Sequence, residues 1–197
     1  YILGAVTSLG KTTYALQMAD NIAFTGKDVI IFSLEMARSE LISKSISRLT
    51  MIESKRAGEI LRLAKTNRQI CDGKRYQFYK DPEMKVIDKA EDTYSKIAEH
   101  VYIHEGVGNI GTEQIRQAIG NHIAITGNKP VVFIDYLQIV SPADIKASDK
   151  QNMDKNILEM KRISRDYKIP VICVSSLNRD NYRKDMGVEA LKESGSI

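Results

Sequence analysis

Gly4, Gly10, Lys11 and Thr12 lie within Gly-Ala-Val-Thr-Ser-Leu-Gly-Lys-Thr-Thr, residues 4–13, and are assigned to the fixed positions of a phosphate-binding loop, G-x-x-x-x-G-K-[ST]. In such a loop the backbone wraps a triphosphate with its N–H groups pointing inward, here over Gly4, Ala5, Val6, Thr7, Ser8, Leu9, Gly10, Lys11, Thr12 and Thr13. The helix that follows adds a partial positive charge at its N-terminus. Lys11 would reach the β- and γ-phosphates, and the Thr12 hydroxyl would complete a Mg²⁺ shell. Two carboxylates belong with this loop. Val131-Val-Phe-Ile-Asp135 is an apolar strand ending in an acid, at the strand end where open α/β sheets bind ligands, so Asp135 can hold the Mg²⁺ directly or through water. Glu35 closes Val29-Ile-Ile-Phe-Ser-Leu-Glu35 and is expected at the same sheet edge. There it could orient and deprotonate an attacking water, or merely favour the N-terminus of the next helix. A third apolar run ends in Ser175-Ser176, whose hydroxyls could sense a γ-phosphate or cap the following segment.

These groups meet only if strands deliver them to one edge. Strands are predicted at 1–4, 28–33, 100–104, 131–135 and 170–175, mostly as continuous apolar runs, the mark of parallel strands buried on both faces. Helices are predicted at 11–25, 38–50, 112–126 and 152–167, with further charged helical stretches at 54–71 and 82–99 expected on the surface. The pattern predicts an α/β fold, a mostly parallel doubly wound sheet flanked by helices. One domain over residues 1–197 is expected, with a charged helical insert at about 54–99. The chain opens inside a strand and closes on Glu-Ser-Gly-Ser-Ile without a stop signal, so truncation at both ends is expected.

Composition narrows the classes. Hydrophobic content of 43% with 27% charged residues is that of a globular chain rather than a disordered one. No apolar run approaches the ~20 residues that cross a bilayer, and no signal peptide is visible. Cys71 and Cys173 lie in unrelated contexts. Cys173, inside an apolar strand, reads as a buried reduced thiol, in keeping with a reducing cytoplasm. The net charge of +4 permits a polyanionic partner without requiring one. Lys150 to Lys168 carries cations interspersed with acids, the pattern of a solvated helix face. Asn178-Arg-Asp-Asn-Tyr-Arg-Lys184 is a basic loop leaving the ligand edge; it is either simply exposed or able to meet a phosphate backbone. His100, His104 and His122 lack metal-ligand spacing.

Taken together, the phosphate loop, Phe32-Ser-Leu-Glu-Met36, Phe133-Ile-Asp-Tyr-Leu-Gln138, Ser176-Leu-Asn-Arg179 and Leu191-Lys-Glu-Ser-Gly-Ser-Ile197 resemble the C-terminal motor domain of DnaB-type replicative helicases, a RecA-like P-loop NTPase fold. The resemblance implies an ATP- and Mg²⁺-dependent enzyme that translocates on single-stranded DNA and unwinds duplex in replication. It implies that Glu35 activates the hydrolytic water and that Asp135 is the Mg²⁺ aspartate. Lys192, Glu193 and Gly195 match a DNA-holding segment of the ring channel, and Arg179 lies in the loop before it. A homo-hexamer is implied, with an arginine finger supplied in trans, together with a primase or loader as partner of the full protein and no membrane association.

The chain also departs from the family. Val6-Thr-Ser8 occupies a stretch that usually holds a proline, Ala37 stands where a capping Ser is common, and Ser176 replaces a Gln that couples nucleotide state to DNA. Lys192 replaces an Arg, and the 54–99 segment is longer and more charged than usual. These departures point to a phage or mobile-element variant. Two other readings stay open: a RecA-like recombination or remodelling ATPase or switch without unwinding, and a non-catalytic nucleotide-binding ring component.

Overall fold

The computed structural model describes residues 1–59, 61–106, 110–142 and 146–177. Five strands form one parallel sheet: β1 (Ile2–Val6), β2 (Val29–Ser33), β3 (Val101–Glu105), β4 (Val131–Asp135) and β5 (Val171–Leu177), in the order β1-β5-β4-β2-β3. Among the described residues six α-helices accompany them: α1 (Lys11–Ala23), α2 (Arg38–Arg56), α3 (Asn67–Cys71), α4 (Asp81–Ala98), α5 (Thr112–Thr126) and α6 (Asp149–Tyr167). Alternation along the central strands builds two cores. Val29, Ile31, Phe133, Ile172 and Val174 face a core shared with Ala15, Ala19, Leu41, Ala90 and Ile97 of α1, α2 and α4. Ile30, Phe32, Val132, Ile134, Val171 and Cys173 face the other, with Ile115 and Ile119 of α5 and Met160 and Ile163 of α6. The predicted doubly wound α/β sheet is the fold observed, with β1 and β3 at its two edges.

Several boundaries move, for identifiable reasons. β1 runs on to Val6, taking in residues assigned to the phosphate loop, because it stays paired with β5 to Val6↔Leu177. β3 begins one residue late because His100 turns aside toward Asp28. α2 continues past Thr50 to Arg56. Hydroxyls of this last stretch bind the returning chain, with Lys65 N donating to Thr50 Oγ1 at 2.9 Å and Leu63 N to Ser54 Oγ at 3.2 Å. α6 starts at Asp149 because Ser148 and Gln151 form a reciprocal capping box.

The charged stretch at 54–99 is only partly helical, with turns between Arg56 and α3 and a 3₁₀ segment at Gly73–Phe78. Nor does it lie wholly on the surface. α4 buries Val86, Ile87, Ala90, Tyr94 and Ile97 as one stripe. The Lys65 side chain is buried too, paired with Glu83 and lying 4.5 Å over the Tyr79 ring.

Charged groups also tie elements together away from the ligand edge. Asp20 of α1, fully buried, pairs with Arg48 of α2 at 2.8 Å. At the opposite end of the sheet, the buried Asp28 carboxylate lies 2.9 Å from His100 Nδ1 and 3.1 Å from His122 Nε2, and accepts from Asn128 Nδ2 at 2.9 Å. Two of the three histidines thus serve a carboxylate, and His104 stacks on Phe32.

Candidate active site

The C-terminal ends of β1, β2, β4 and β5 surround a cleft of about 440 Å³ lined by Thr7, Ser8, Gly10, Lys11, Thr12, Thr13, Glu35, Met36, Lys44, Asp135, Tyr136 and Ser176. This is where an open α/β sheet binds its ligand. The loop between β1 and α1 turns through positive φ at Ser8 (69°) and Gly10 (81°), and Gly10 caps α1. Gly4, Ala5 and Val6 of the predicted loop are strand residues, and Leu9 is 61% exposed. The assignment of Gly4 is corrected on this ground: five residues separate it from Gly10, one more than the pattern allows, so the first position falls on Ala5.

Lys11 lies back against the sheet, its ammonium donating to the Val6 carbonyl and to Ser176 Oγ, each at 3.1 Å. β2 ends at Ser33, so Glu35 stands beyond the strand, in a bend. Ser33 Oγ donates to the Met36 carbonyl at 2.6 Å and Leu34 N to the Asp135 carbonyl at 2.9 Å, which anchors that bend beside β4. Asp135 sits in register with Ser33 and is 5% exposed. Burial pushes its carboxyl above the usual range. The Thr12 hydroxyl bonded to it pulls the other way, Glu35 pushes it further up, and Lys11 and Lys44 oppose. A buried carboxylate bonded to a hydroxyl, with a second carboxylate in the same cleft, is an all-oxygen donor set of the kind hard divalent cations take, so these residues fit Mg²⁺.

Sequence reasoning missed Lys44, Met36 and Tyr136. Lys44 comes from the second turn of α2, half-buried among many cations, and nothing in its type or spacing separated it from them. Ala37 caps α2 without a side-chain acceptor, and Glu40 compensates by accepting from Ala37 N at 3.1 Å. The DNA-contact candidates Arg179, Lys192, Glu193 and Gly195, and the basic loop at 178–184, lie outside the described residues. Among the described residues no cluster of His, Cys, Asp and Glu forms a separate metal site, and no helix is long and apolar enough to cross a membrane.

The sequence matches the DnaB-like helicase C terminal domain family over residues 1–197. The chain belongs to that family. Its relatives include the replicative DNA helicase DnaB of Buchnera aphidicola subsp. Baizongia pistaciae, 26% identical over all of this chain and 39% of the relative. They also include a probable plasmid replicative DNA helicase of Chlamydia trachomatis, 28% identical over all of this chain and 40% of the relative. The chain thus spans about two fifths of the curated relatives it matches. Two solved structures share the fold, each at 23% identity and over 93% of this chain. One is described as an ATPase domain, with a TM-score of 0.76 over 59% of that chain. The other is a DnaB-like replicative helicase described with its interactions with primase, with a TM-score of 0.78 over 40% of that chain. The RecA-like architecture expected from the sequence is therefore the one found.

Proposed function

We propose that residues 1–197 form one motor unit of a replicative DNA helicase, hydrolysing ATP to move along single-stranded DNA and unwind duplex. The observation that carries this reading is the convergence of Lys11, Thr12, Glu35 and Asp135 on one cleft at the strand ends. The loop N–H groups bind the phosphates, and Lys11, steadied on the Val6 carbonyl and Ser176 Oγ, turns its remaining positive N–H toward the β- and γ-phosphates. Thr12 and Asp135 would hold Mg²⁺, which would supply positive charge against the phosphates. Glu35 orients a water for attack on the γ-phosphorus and takes its proton as the bond to the leaving ADP oxygen breaks. Lys44 adds positive charge at the cleft, and Ser176 reports the occupancy of the γ position through Lys11.

Family membership supports a homo-hexameric ring in which a neighbour supplies an arginine finger, with Arg179, Lys192, Glu193 and Gly195 as DNA contacts and a primase or loader as partner of the whole protein. Phosphoryl transfer depends on positioning and charge, so the chain without its neighbour binds nucleotide but turns over slowly. The experiment is ATP hydrolysis by the intact protein, with and without single-stranded DNA, beside its Lys11→Ala variant. DNA-stimulated turnover that Lys11→Ala abolishes is expected. Lys11-dependent turnover indifferent to DNA would instead indicate a remodelling ATPase or switch, and absence of turnover a non-catalytic ring component.

A further inference from the structure

Strand β5 outruns one of its neighbours. The β4–β5 ladder ends at Ile134↔Cys173, whereas β1 stays paired with β5 to Val6↔Leu177. Among the described residues, Ser175 and Ser176 therefore have a partner strand on one side only. On the open side stands Gln138, in the 3₁₀ turn Leu137–Ile139 that follows β4. Its Nε2 donates to Ser175 Oγ at 2.9 Å and to the Ser176 carbonyl at 3.1 Å, and its Oε1 accepts from Ser176 N at 3.4 Å. A carboxamide carries a carbonyl acceptor and N–H donors in one plane, as a peptide group does, so it can both donate to and accept from a strand's backbone. Gln138 continues the ladder with a side chain.

Ser176 is also where β5 meets Lys11, whose ammonium it shares with the Val6 carbonyl. The inner phosphates of a nucleotide are held mainly by the N–H groups of the loop after β1, with Lys11 adding to the hold on the β-phosphate, so they depend little on where Lys11 is set. The terminal phosphate is different, because Lys11 must meet it from the position that Ser176 helps to set. We propose that Gln138 is a positioning residue: by holding the Ser176 peptide it sets Lys11 for the terminal phosphate, and so sets the preference of the site for triphosphate over diphosphate. This rests on the nucleotide-site reading above. A purely structural clamp would change the affinity of both nucleotides alike, since a frayed β5 would loosen the whole sheet edge.

The test uses the intact protein with Mg²⁺ and two fluorescent probes, a non-hydrolysable ATP analogue and ADP. Gln138→Leu is expected to weaken the ATP analogue about five- to ten-fold, the scale of one ordinary hydrogen bond, and to leave ADP within about two-fold. Gln138 is exposed, so the fold tolerates the change. In a Ser176→Ala background Gln138→Leu should change the ratio no further, because its effect passes through the Ser176 hydroxyl. Equal weakening of both nucleotides, or full additivity with Ser176→Ala, overturns the proposal. Lys11→Ala with undiminished affinity for both probes would instead overturn the nucleotide-site reading itself.

Discussion

Asp135→Asn should make the nucleotide-free protein more stable while it destroys turnover. The Asp135 carboxylate is 5% exposed, and burial raises its pKa above 3.8, with Glu35 adding to the rise. Among the described residues the Thr12 hydroxyl bonds to it, and an amide oxygen can keep that bond. The substitution thus removes a buried, incompletely compensated charge and retains its shape. Burying such a group costs more than one hydrogen bond of about 1 kcal/mol returns, so a gain of about 1 kcal/mol is expected. In a chain of this length that is a rise of roughly 2–4 °C in Tm. The loss of an anionic metal ligand should cost several kcal/mol in the barrier, about a thousandfold in rate. The charged form of Asp135 burdens the fold fully at neutral pH, and the burden fades as pH falls through the raised pKa toward 3.8. The advantage of Asn should therefore shrink on acidification. Thermal unfolding followed across pH without nucleotide, beside steady-state ATP turnover, reads all three effects. A lower Tm for the Asn variant at neutral pH would refute the reasoning, since it would mean that Lys11 and Lys44 already hold the carboxylate as a net stabilising network.

Elsewhere, Asp28→Ala should cost about 2–4 kcal/mol in urea unfolding, because it strands His100, His122 and Asn128. Burial by itself would raise the Asp28 pKa, but the bonds from His100, Asn128 and His122 outweigh it and hold the value below 3.8. That stabilisation is present above 3.8 and lost only as pH falls through the lower folded value, so wild type and Asp28→Asn should keep their difference at neutral pH and converge at strongly acidic pH. Lys65→Met should leave Glu83 unpaired and expose the 57–80 turns to limited proteolysis; Lys65→Met with Glu83→Gln should recover protection, and failure to recover would mean that the Tyr79 contact dominates. A thiol reagent should label Cys71 rapidly and Cys173 only on unfolding, since Cys173 is buried with its pKa pushed up to about 11; two fast thiols would contradict the core assignment.

The parts legible in the sequence were those where one local signal determines one local outcome. Val29 to Ser33 and Val131 to Asp135 are apolar runs that only a strand covered on both faces can bury, and both appear as such. Gly10, Lys11 and Thr12 require a loop feeding a helix, and find one. What could not be read was every feature set by a distant partner. The buried Lys65 reads as one more surface cation until α4 brings Glu83 to it. Thr50 reads as a helix end until Lys65 N arrives to use its hydroxyl. Asp28 and the histidines lie apart in sequence, and only the β2–β3 pairing and the end of α5 bring them together.

The same distinction bears on how a chain can depart from its family's motifs and keep the site. Each departure removes a local device, and in the described residues a neighbour stands where that device acted. Ala37 cannot cap α2, and Glu40 reaches back to its N–H. Ser176 is too short to cross the gap that β4 leaves beside β5, and Gln138 fills it from the other side. Ala5 takes the position of the first loop glycine without strain because β1 continues through it, and the positive-φ turn falls on Ser8 and Gly10 instead. Motif positions are thus a poor measure of degeneracy in this chain. The better measure is whether the bonds those positions usually make still have donors and acceptors in place, and at Lys11, Thr12, Asp135 and Ser176 they do.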